Sequence, residues 1–164
     1  RPITSEALVG LLSQRLADRV NRVNAAHLAK AQGILVRESR SEEARDFVSL
    51  IEVSAISGGK TTTVAGTLLG GRQPRLVRID DYHLEAVPEG NFLFTRHLDR
   101  PGVVGALGGI LGREQINITR MNVGIDGGAE TAISLVSISS PLSEAAMAEI
   151  RALPPIQQAV GFAL

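Results

Sequence analysis

The order of apolar and polar positions divides the chain into a helical start and two groups of strands. Apolar residues recur at spacings of three and four in two runs over residues 3–32, which predicts helix there. Thr4 or Ser5 is placed to cap its start, and Gly33 to end it. The polar run 37–46 (RESRSEEARD) predicts a solvated linker, and after it the period becomes that of β-strands.

Four strand-like runs follow the linker and are separated by turn residues. The runs are residues 52–56, 61–68, 75–79 and 82–87. Gly58-Gly59 between the first two predicts a hairpin, and Asp80-Asp81 predicts a turn between the last two. Pro88-Glu89-Gly90 then predicts a domain boundary.

The remaining residues alternate strands and helices in an order that is typical of one fold. The predicted elements are a strand over 91–98, a helix that opens at Pro101, strands over 117–125 and 130–138 with a turn at 126–128 between them, a helix capped by Ser143 and a strand over 157–163. This βαββαβ order is ferredoxin-like. We therefore predict an α+β chain of two small domains, 1–88 and 89–164, the second with an antiparallel sheet.

Composition and charge exclude several functions. The chain has 17 basic and 17 acidic residues and no block of Lys or Arg, so we do not expect nucleic acid or an anionic membrane surface as a partner. No apolar run reaches the roughly 18 residues that span a bilayer. Without cysteine it has no disulfide, thiol catalysis or thiolate metal site. The start at Arg1, without an initiator Met or a signal peptide, suggests part of a longer protein. We expect it in the cytoplasm or an organelle stroma.

Two segments of the C-terminal half resemble the ACT family of amino-acid-binding regulatory domains. They are residues 98–105 (LDRPGVVG) and 112–118 (GREQINI), which place a D-R-P-G turn between a strand and a helix and an I-N-I strand after it. The resemblance implies a module that binds a small amino acid, L-serine being the expected one, between two ACT domains paired through their sheet edges. It therefore implies a homo-oligomer.

Four segments of the chain resemble the intervening domain of long-form phosphoglycerate dehydrogenases. They are residues 20–25 (VNRVNA), 29–34 (AKAQGI), 64–71 (VAGTLLGG) and 86–90 (AVPEG). The resemblance implies the C-terminal regulatory part of such an enzyme, with an intervening domain that lacks its first strand. Catalysis and NAD would belong to domains outside this chain. Bacterial L-serine dehydratases carry a related pair of domains, but the AVPEG and GTLLGG runs favour the dehydrogenase.

An ACT ligand is a zwitterion, and the motif residues supply groups for both of its charges. Asp99 can accept hydrogen bonds from the ammonium group. The helix amides that follow Gly102, beginning at Val103, favour a carboxylate, and Gly102 itself permits close approach. Asn117 can donate and accept, and His97 can add a polar contact. These five residues form the predicted effector site.

Each polar member of that set also has a structural alternative. Asp99 could cap the helix at Pro101, Asn117 could make a turn contact, and a lone histidine such as His97 could be a core residue. A purely structural oligomerisation module without a ligand is the corresponding alternative for the whole chain.

Two further polar groups stand outside the effector motif. Lys60, Arg72 and Arg75 could bind an anion, as basic residues of related intervening domains do, but a solvated charged rim is the alternative that local sequence favours. The turn 80–81 with His83 suggests a polar hairpin tip rather than a metal site. No nucleophile–base pair and no G-x-G-x-x-G loop is present, so we predict no catalytic site, no metal and no cofactor in this chain.

Overall fold

The computed structural model describes residues 2–16, 19–41, 47–125 and 130–164. Its helices are α1 (Pro2–Leu16), α2 (Ala25–Ala31), α3 (Val103–Arg113) and α4 (Glu144–Ala152). Its strands are β1 (Ile51–Ser57), β2 (Lys60–Leu69), β3 (Gln73–Ile79), β4 (Tyr82–Ala86), β5 (Asn91–Leu98), β6 (Ile118–Ile125), β7 (Thr131–Ile138) and β8 (Ile156–Ala163). They form two compact units, Arg1–Ala44 and Arg45–Leu164.

The first unit contains α1 and α2, which pack through a small apolar cluster. Its buried members are Leu8, Leu12, Val20, Ala25 and Ala29. The predicted helix over 3–32 is wrong between these two helices. There Asn21 Oδ1 accepts from the backbone amides of Val23 and Asn24, and Asn24 Oδ1 accepts from the amide of Asn21. The asparagine side chains thus compete with helical hydrogen bonding and make a turn.

The two ends of this helical region test the predicted caps. Thr4 and Ser5 lie inside α1, because the helix already begins at Pro2, so the predicted N-cap is wrong. Proline suits a first helical position because it has no amide hydrogen to leave unpaired. At the other end, α2 finishes at Ala31, and Gly33 has a φ of 73°. The predicted stop at Gly33 is therefore confirmed, since glycine adopts the left-handed conformation without strain.

The first sheet, in the second unit, is an antiparallel meander of order β1-β2-β3-β4. The predicted hairpin at Gly58-Gly59 is confirmed: both glycines have positive φ, 57° and 77°, as a two-residue type I′ turn requires. The outward face of this sheet carries the Arg75–Glu85 and Arg78–Glu52 ion pairs. All seven residues of β1, the edge strand, are exposed.

The second sheet is antiparallel with the order β6-β7-β5-β8, which is the ferredoxin-like order and confirms the predicted fold class. Helices α3 and α4 supply one side of its main core, whose buried members include Leu93, Val103, Leu107, Ile110, Leu111, Val136, Met147 and Ile150. The predicted cap of the last helix is also confirmed, because Ser143 Oγ accepts from the amide of Ala146 at 3.1 Å. The predicted turn 126–128 and residues 42–46 of the predicted linker lie outside the described residues.

The face of the second sheet that points away from α3 and α4 packs against β3 and β4. The buried members of this cluster are Ala86, Phe92 and Leu135, with Leu76, Ile79, Leu84, Phe94 and Phe162 partly buried around them. The rings of Phe92 and Phe162 are stacked with centroids 5.3 Å apart and planes 20° apart. β5 and β7 are therefore covered on both faces, and no residue of β7 is exposed.

Gly124 of β6 lies where the backbone of the second sheet approaches β4 of the first sheet closely. A methyl group there would lie 3.1 Å from the His83 carbonyl oxygen, from Ile133 Cγ1 and from Tyr82 Cβ. We expect Gly124→Ala to lower the free energy of unfolding by about 1–3 kcal/mol, because backbone atoms cannot move aside cheaply. Urea unfolding would measure it. The control is Gly105→Ala in α3, where the new methyl meets nothing within 4 Å and should raise stability by about 0.5–1 kcal/mol.

Equal effects of these two substitutions would show that backbone freedom, and not contact between the sheets, determines the cost at Gly124.

Among the described residues no helix has both the length and the apolar character needed to cross a bilayer.

Candidate functional site

The turn between β5 and α3 exposes a helix N-terminus. Gly102 is the N-cap residue and has a φ of 93°, a conformation that requires glycine or strains other residues. The amide of Ala106 donates to the Gly102 carbonyl at 2.9 Å, which is the first hydrogen bond of the helix. The amides of the three residues before Ala106, beginning with Val103, therefore lack a partner within the helix. The Val103 side chain is buried in the core, so this residue can offer a ligand only its backbone.

Asp99 lies just after β5 and beside this helix N-terminus. Its backbone amide donates to the Glu130 carbonyl at 2.8 Å, which fixes the chain at this point. The residue is exposed, and its carboxylate makes no hydrogen bond or ion pair with any residue that the structure describes. The N-cap residue of α3 is Gly102, and no side-chain hydrogen bond caps this helix. Asp99 is therefore not the helix cap that the structural alternative proposed.

His97 is on the buried face of β5, with only 2% of its surface exposed. Its Nδ1 lies 2.9 Å from the Leu98 carbonyl oxygen, and its Nε2 lies 2.9 Å from Ser134 Oγ. A carbonyl oxygen can only accept, so Nδ1 carries the hydrogen, and in the neutral ring Nε2 accepts from the serine hydroxyl. In a single copy of the chain, the His97 side chain is thus buried against the sheet and does not reach the surface on which Asp99 is exposed.

Asn117 immediately precedes β6 and is exposed. Its backbone amide donates to Ser139 Oγ at 2.9 Å, and its carbonyl accepts from the Ser139 amide at 2.9 Å, so its backbone makes the turn contact that was the structural alternative. Its side-chain amide has no partner among the described residues.

Asp99 and Asn117 lie at opposite ends of the sheet. Leu98 pairs with Thr131 at one end of β7, whereas Ile118 pairs with Ile138 at its other end. Seven residues of strand separate these ends, or about 23 Å at the usual rise per residue. One copy of the chain therefore cannot bring the two side chains onto the same small molecule.

Comparison with protein families covers both halves of the chain. Residues 1–80 match the family model described as the D-3-phosphoglycerate dehydrogenase intervening domain, and residues 92–155 match the one described as the ACT domain. The chain is an intervening domain followed by an ACT domain. The recognition made from the motif residues is thus confirmed. The predicted boundary at 88/89 falls between the two matches and stays a prediction.

Several curated proteins resemble almost the whole chain. The D-3-phosphoglycerate dehydrogenase of Synechocystis is 35% identical over 159 residues, which are 97% of this chain and 29% of that protein. The D-3-phosphoglycerate dehydrogenase of Archaeoglobus fulgidus is 37% identical over 82% of this chain and 25% of that protein. The one of Bacillus subtilis is 32% identical over 94% of this chain and 29% of that protein. The chain thus spans less than a third of each of these relatives.

Of the three basic residues predicted as an anion site in the intervening domain, Lys60 lies far from Arg72 in one copy. Lys60 begins β2 and Arg72 follows its other end, so about 30 Å of strand lies between them. Arg75 is already occupied by Glu85, by Gln73 and by the carbonyl of Pro74. Among the described residues no group of three or more histidines or acidic residues is placed to hold a metal ion.

Two features of the ACT domain close to the predicted site could not be recognised from the sequence motifs. Thr95 and Ser134 lie next to His97 on the buried face of the sheet, and Thr95 Oγ1 has no hydrogen-bond partner among the residues that the structure describes. Arg96 points to the opposite face and pairs with Asp80. The period-two alternation of β5 indicated which residues share a face, but their partners come from segments distant in sequence.

Proposed function

We propose that this chain is the amino-acid-sensing and oligomerising part of a D-3-phosphoglycerate dehydrogenase, and that its ACT domain binds L-serine between two paired copies. Serine binding would act as feedback on serine biosynthesis. The single observation that carries the ligand proposal is an exposed carboxylate, Asp99, that has no partner among the described residues and stands three residues before Gly102, the N-cap of a helix whose first amides, beginning at Val103, have no partner within the helix. A zwitterion needs a partner for each of its two charges. The carboxylate of Asp99 can bind the ammonium group, and the helix amides can bind the carboxylate.

A second copy would complete the site through the edge strand β6. If β6 pairs with the same strand of a neighbour in antiparallel fashion, its Ile118 end lies beside the neighbour's Ile125 end. Ile125 pairs with Ala132, which pairs with His97, so that end of the sheet is the one that carries Asp99. The Asn117 of each copy then lies at the Asp99 end of the other. The two-fold axis would generate two equivalent sites.

The side chains of β6 support pairing at this edge. Val123 and Ile125 are 43% and 60% exposed, and Val104 on α3 is 48% exposed on the same side of the sheet as Val123. An exposed apolar edge strand invites pairing with another chain unless something covers it. Pairing through β6 would cover it.

The remainder of the enzyme would carry the chemistry. In the part of the chain that the structure describes, both sheets are antiparallel and no glycine-rich loop leads from a parallel strand into a helix. These elements do not fit NAD, so hydride transfer would belong to domains outside the chain. For serine to regulate that chemistry, it must bind two arrangements of the paired ACT domains with different affinity.

Calorimetric titration tests the ligand proposal. We expect heat and saturation with L-serine, with glycine and L-alanine as smaller zwitterions for comparison. Acetate and ethanolamine are matched controls, because each carries one of the two charges, and neither should bind measurably at the same concentrations. Sedimentation of the same sample establishes whether it is paired. A paired sample that gives no heat with any amino acid would rule out the proposal.

Such a paired but unresponsive sample would instead support the second candidate, a structural oligomerisation module without a ligand. The regulatory part of an L-serine dehydratase is the third. The relatives described above all bear the name D-3-phosphoglycerate dehydrogenase, which favours the dehydrogenase over it.

A further inference from the structure

Arg96 connects the strand of the proposed ligand site to the first sheet. It lies one residue before His97 on β5 but on the opposite face, towards β3 and β4. Its guanidinium donates to Asp80 Oδ2, and the carbon at its centre lies 5.3 Å from the centre of the Tyr82 ring. Asp80 belongs to the β3–β4 turn and Tyr82 is the first residue of β4, a region that the sequence had indicated only as a polar hairpin tip. Arg96, Asp80 and Tyr82 are referred to below as the Arg96 cluster.

The turn that receives Arg96 is itself firmly held. Asp80 has a φ of 50°, its Oδ1 accepts from the amide of Thr63 at 2.8 Å, and its carbonyl accepts from Arg78 at 2.8 Å. The side chains of Arg96 and Asp80 are only 22% and 18% exposed, so solvent screens their attraction less than that of a surface pair. A displacement of β5 would therefore be resisted by the whole turn rather than by one flexible side chain.

A second contact joins the turn to the end of the sheet where Asp99 lies. The hydroxyl of Tyr82 is 2.7 Å from Thr131 Oγ1. Thr131 pairs with Leu98, and the preceding residue, Glu130, accepts the backbone hydrogen bond of Asp99. The Arg96 cluster thus contacts both strands from which the Asp99 end of the sheet is built.

We propose that Arg96 is a positioning residue that couples ligand binding at Asp99 to the β3–β4 turn. A ligand held by Asp99 fixes the end of β5, and because neighbouring residues of a strand share one rigid backbone, it also fixes the backbone of Arg96. The side chain then transmits this restraint to Asp80 and Tyr82 on the other face. This inference rests on the proposed function and assigns a route from the effector site into the intervening domain.

The chain contains a natural probe of the Arg96 cluster. Tyr82 is the single tyrosine, and there is no tryptophan, so intrinsic fluorescence reports the surroundings of this one ring. We expect L-serine to change the tyrosine emission with the same midpoint as the calorimetric titration. Arg96→Met should abolish this change and weaken serine binding by at least about five-fold. Arg96→Lys, which keeps the charge, should restore part of both.

Two further variants separate coupling from a general loss of structure. Asp80→Asn should reproduce Arg96→Met, and the double variant should be no worse than either single one, because both remove the same interaction. Arg75→Met is the matched control. Arg75 is 18% exposed and pairs with Glu85 on the outward face of the same sheet, so its loss should leave both serine affinity and the emission response unchanged.

The outcomes distinguish this inference from the function on which it rests. Serine heat without an emission change in the unaltered chain would overturn the coupling and leave the ligand site standing, whether or not Arg96→Met folds. An Arg75→Met effect as large as that of Arg96→Met would also overturn it. The absence of heat with every amino acid in a paired sample would overturn both proposals.

Discussion

Replacing Asp99 with alanine should lower the affinity for L-serine by at least about 30-fold, because the ligand's ammonium group would lose its charged partner on being taken from water. The fold should remain intact, since the carboxylate makes no bond to any described residue and its backbone amide keeps its bond to Glu130. Calorimetry measures the affinity, and thermal unfolding without ligand measures the stability. Asp99→Asn, which keeps an acceptor but not the charge, should lie between alanine and the native residue.

Glu130→Ala provides the control for charge. Glu130 is an exposed acid at the same end of the sheet, and its replacement removes the same charge from that surface. Affinity should then change little. If Glu130→Ala weakened binding as much as Asp99→Ala, the general electrostatic field of this surface would explain the effect, and the direct contact of Asp99 with the ammonium group would be disproved. Unchanged affinity in Asp99→Ala would place the ligand elsewhere.

Phe92→Ala should cause the largest loss of stability among the variants considered, about 3–5 kcal/mol of unfolding free energy. The side chain is 1% exposed, stacks on Phe162 and lies in the cluster that joins the two sheets of the second unit. Its removal loses the free energy gained by transferring a large ring from water into the core, and it leaves a cavity whose lining residues lose their packing contacts. Equilibrium unfolding in urea would give the change.

Val160→Ala is the matched control for Phe92→Ala. Val160 pairs with Phe94 on the same side of the sheet as the aromatic cluster, but 39% of its surface is exposed, so its truncation should cost about 1 kcal/mol or less. A similar cost at the two positions would contradict the assignment of the core between the sheets to Phe92. A second unfolding transition in Phe92→Ala would indicate that the sheets had become separate cooperative units.

Local sequence was sufficient for the elements of the ACT domain. The strand predicted over 91–98 has those bounds in the structure, and the strand predicted over 117–125 begins one residue later. Alternating apolar positions and turn residues act within a few residues of each other, so they can be recognised without knowledge of the fold. The position of Asp99 at the end of a strand follows from the same signals.

Apolar spacing failed where local side-chain hydrogen bonds compete with a periodic pattern. The apolar spacing through Val20 and Val23 predicted helix, yet Val23 is 93% exposed because the hydrogen bonds of Asn21 and Asn24 make a turn. Spacing alone cannot weigh a side-chain hydrogen bond against a helical one. The family resemblance did not correct this error, because it concerned the order of segments and not their geometry.

The arrangement of the site depends on strand pairing, which the sequence does not display. The pairing of β6 and β5 with β7, which places Asn117 and Asp99 at opposite ends of the sheet, joins segments that are distant in sequence. The same limitation applies to Arg96, whose partner Asp80 is 16 residues away in sequence. The three basic residues predicted as one set are also divided, since the length of β2 separates Lys60 from Arg72.

The separation of Asp99 and Asn117 also bears on how such a sensor would respond to its own abundance. If each binding site is built from residues of both chains, a single chain offers the ligand only half of its contacts. The apparent affinity then depends on the fraction of chains that are paired. Scarce protein would sense poorly, while abundant ligand would drive solitary chains together by mass action. The sensor would then measure the product of two concentrations rather than that of the amino acid alone.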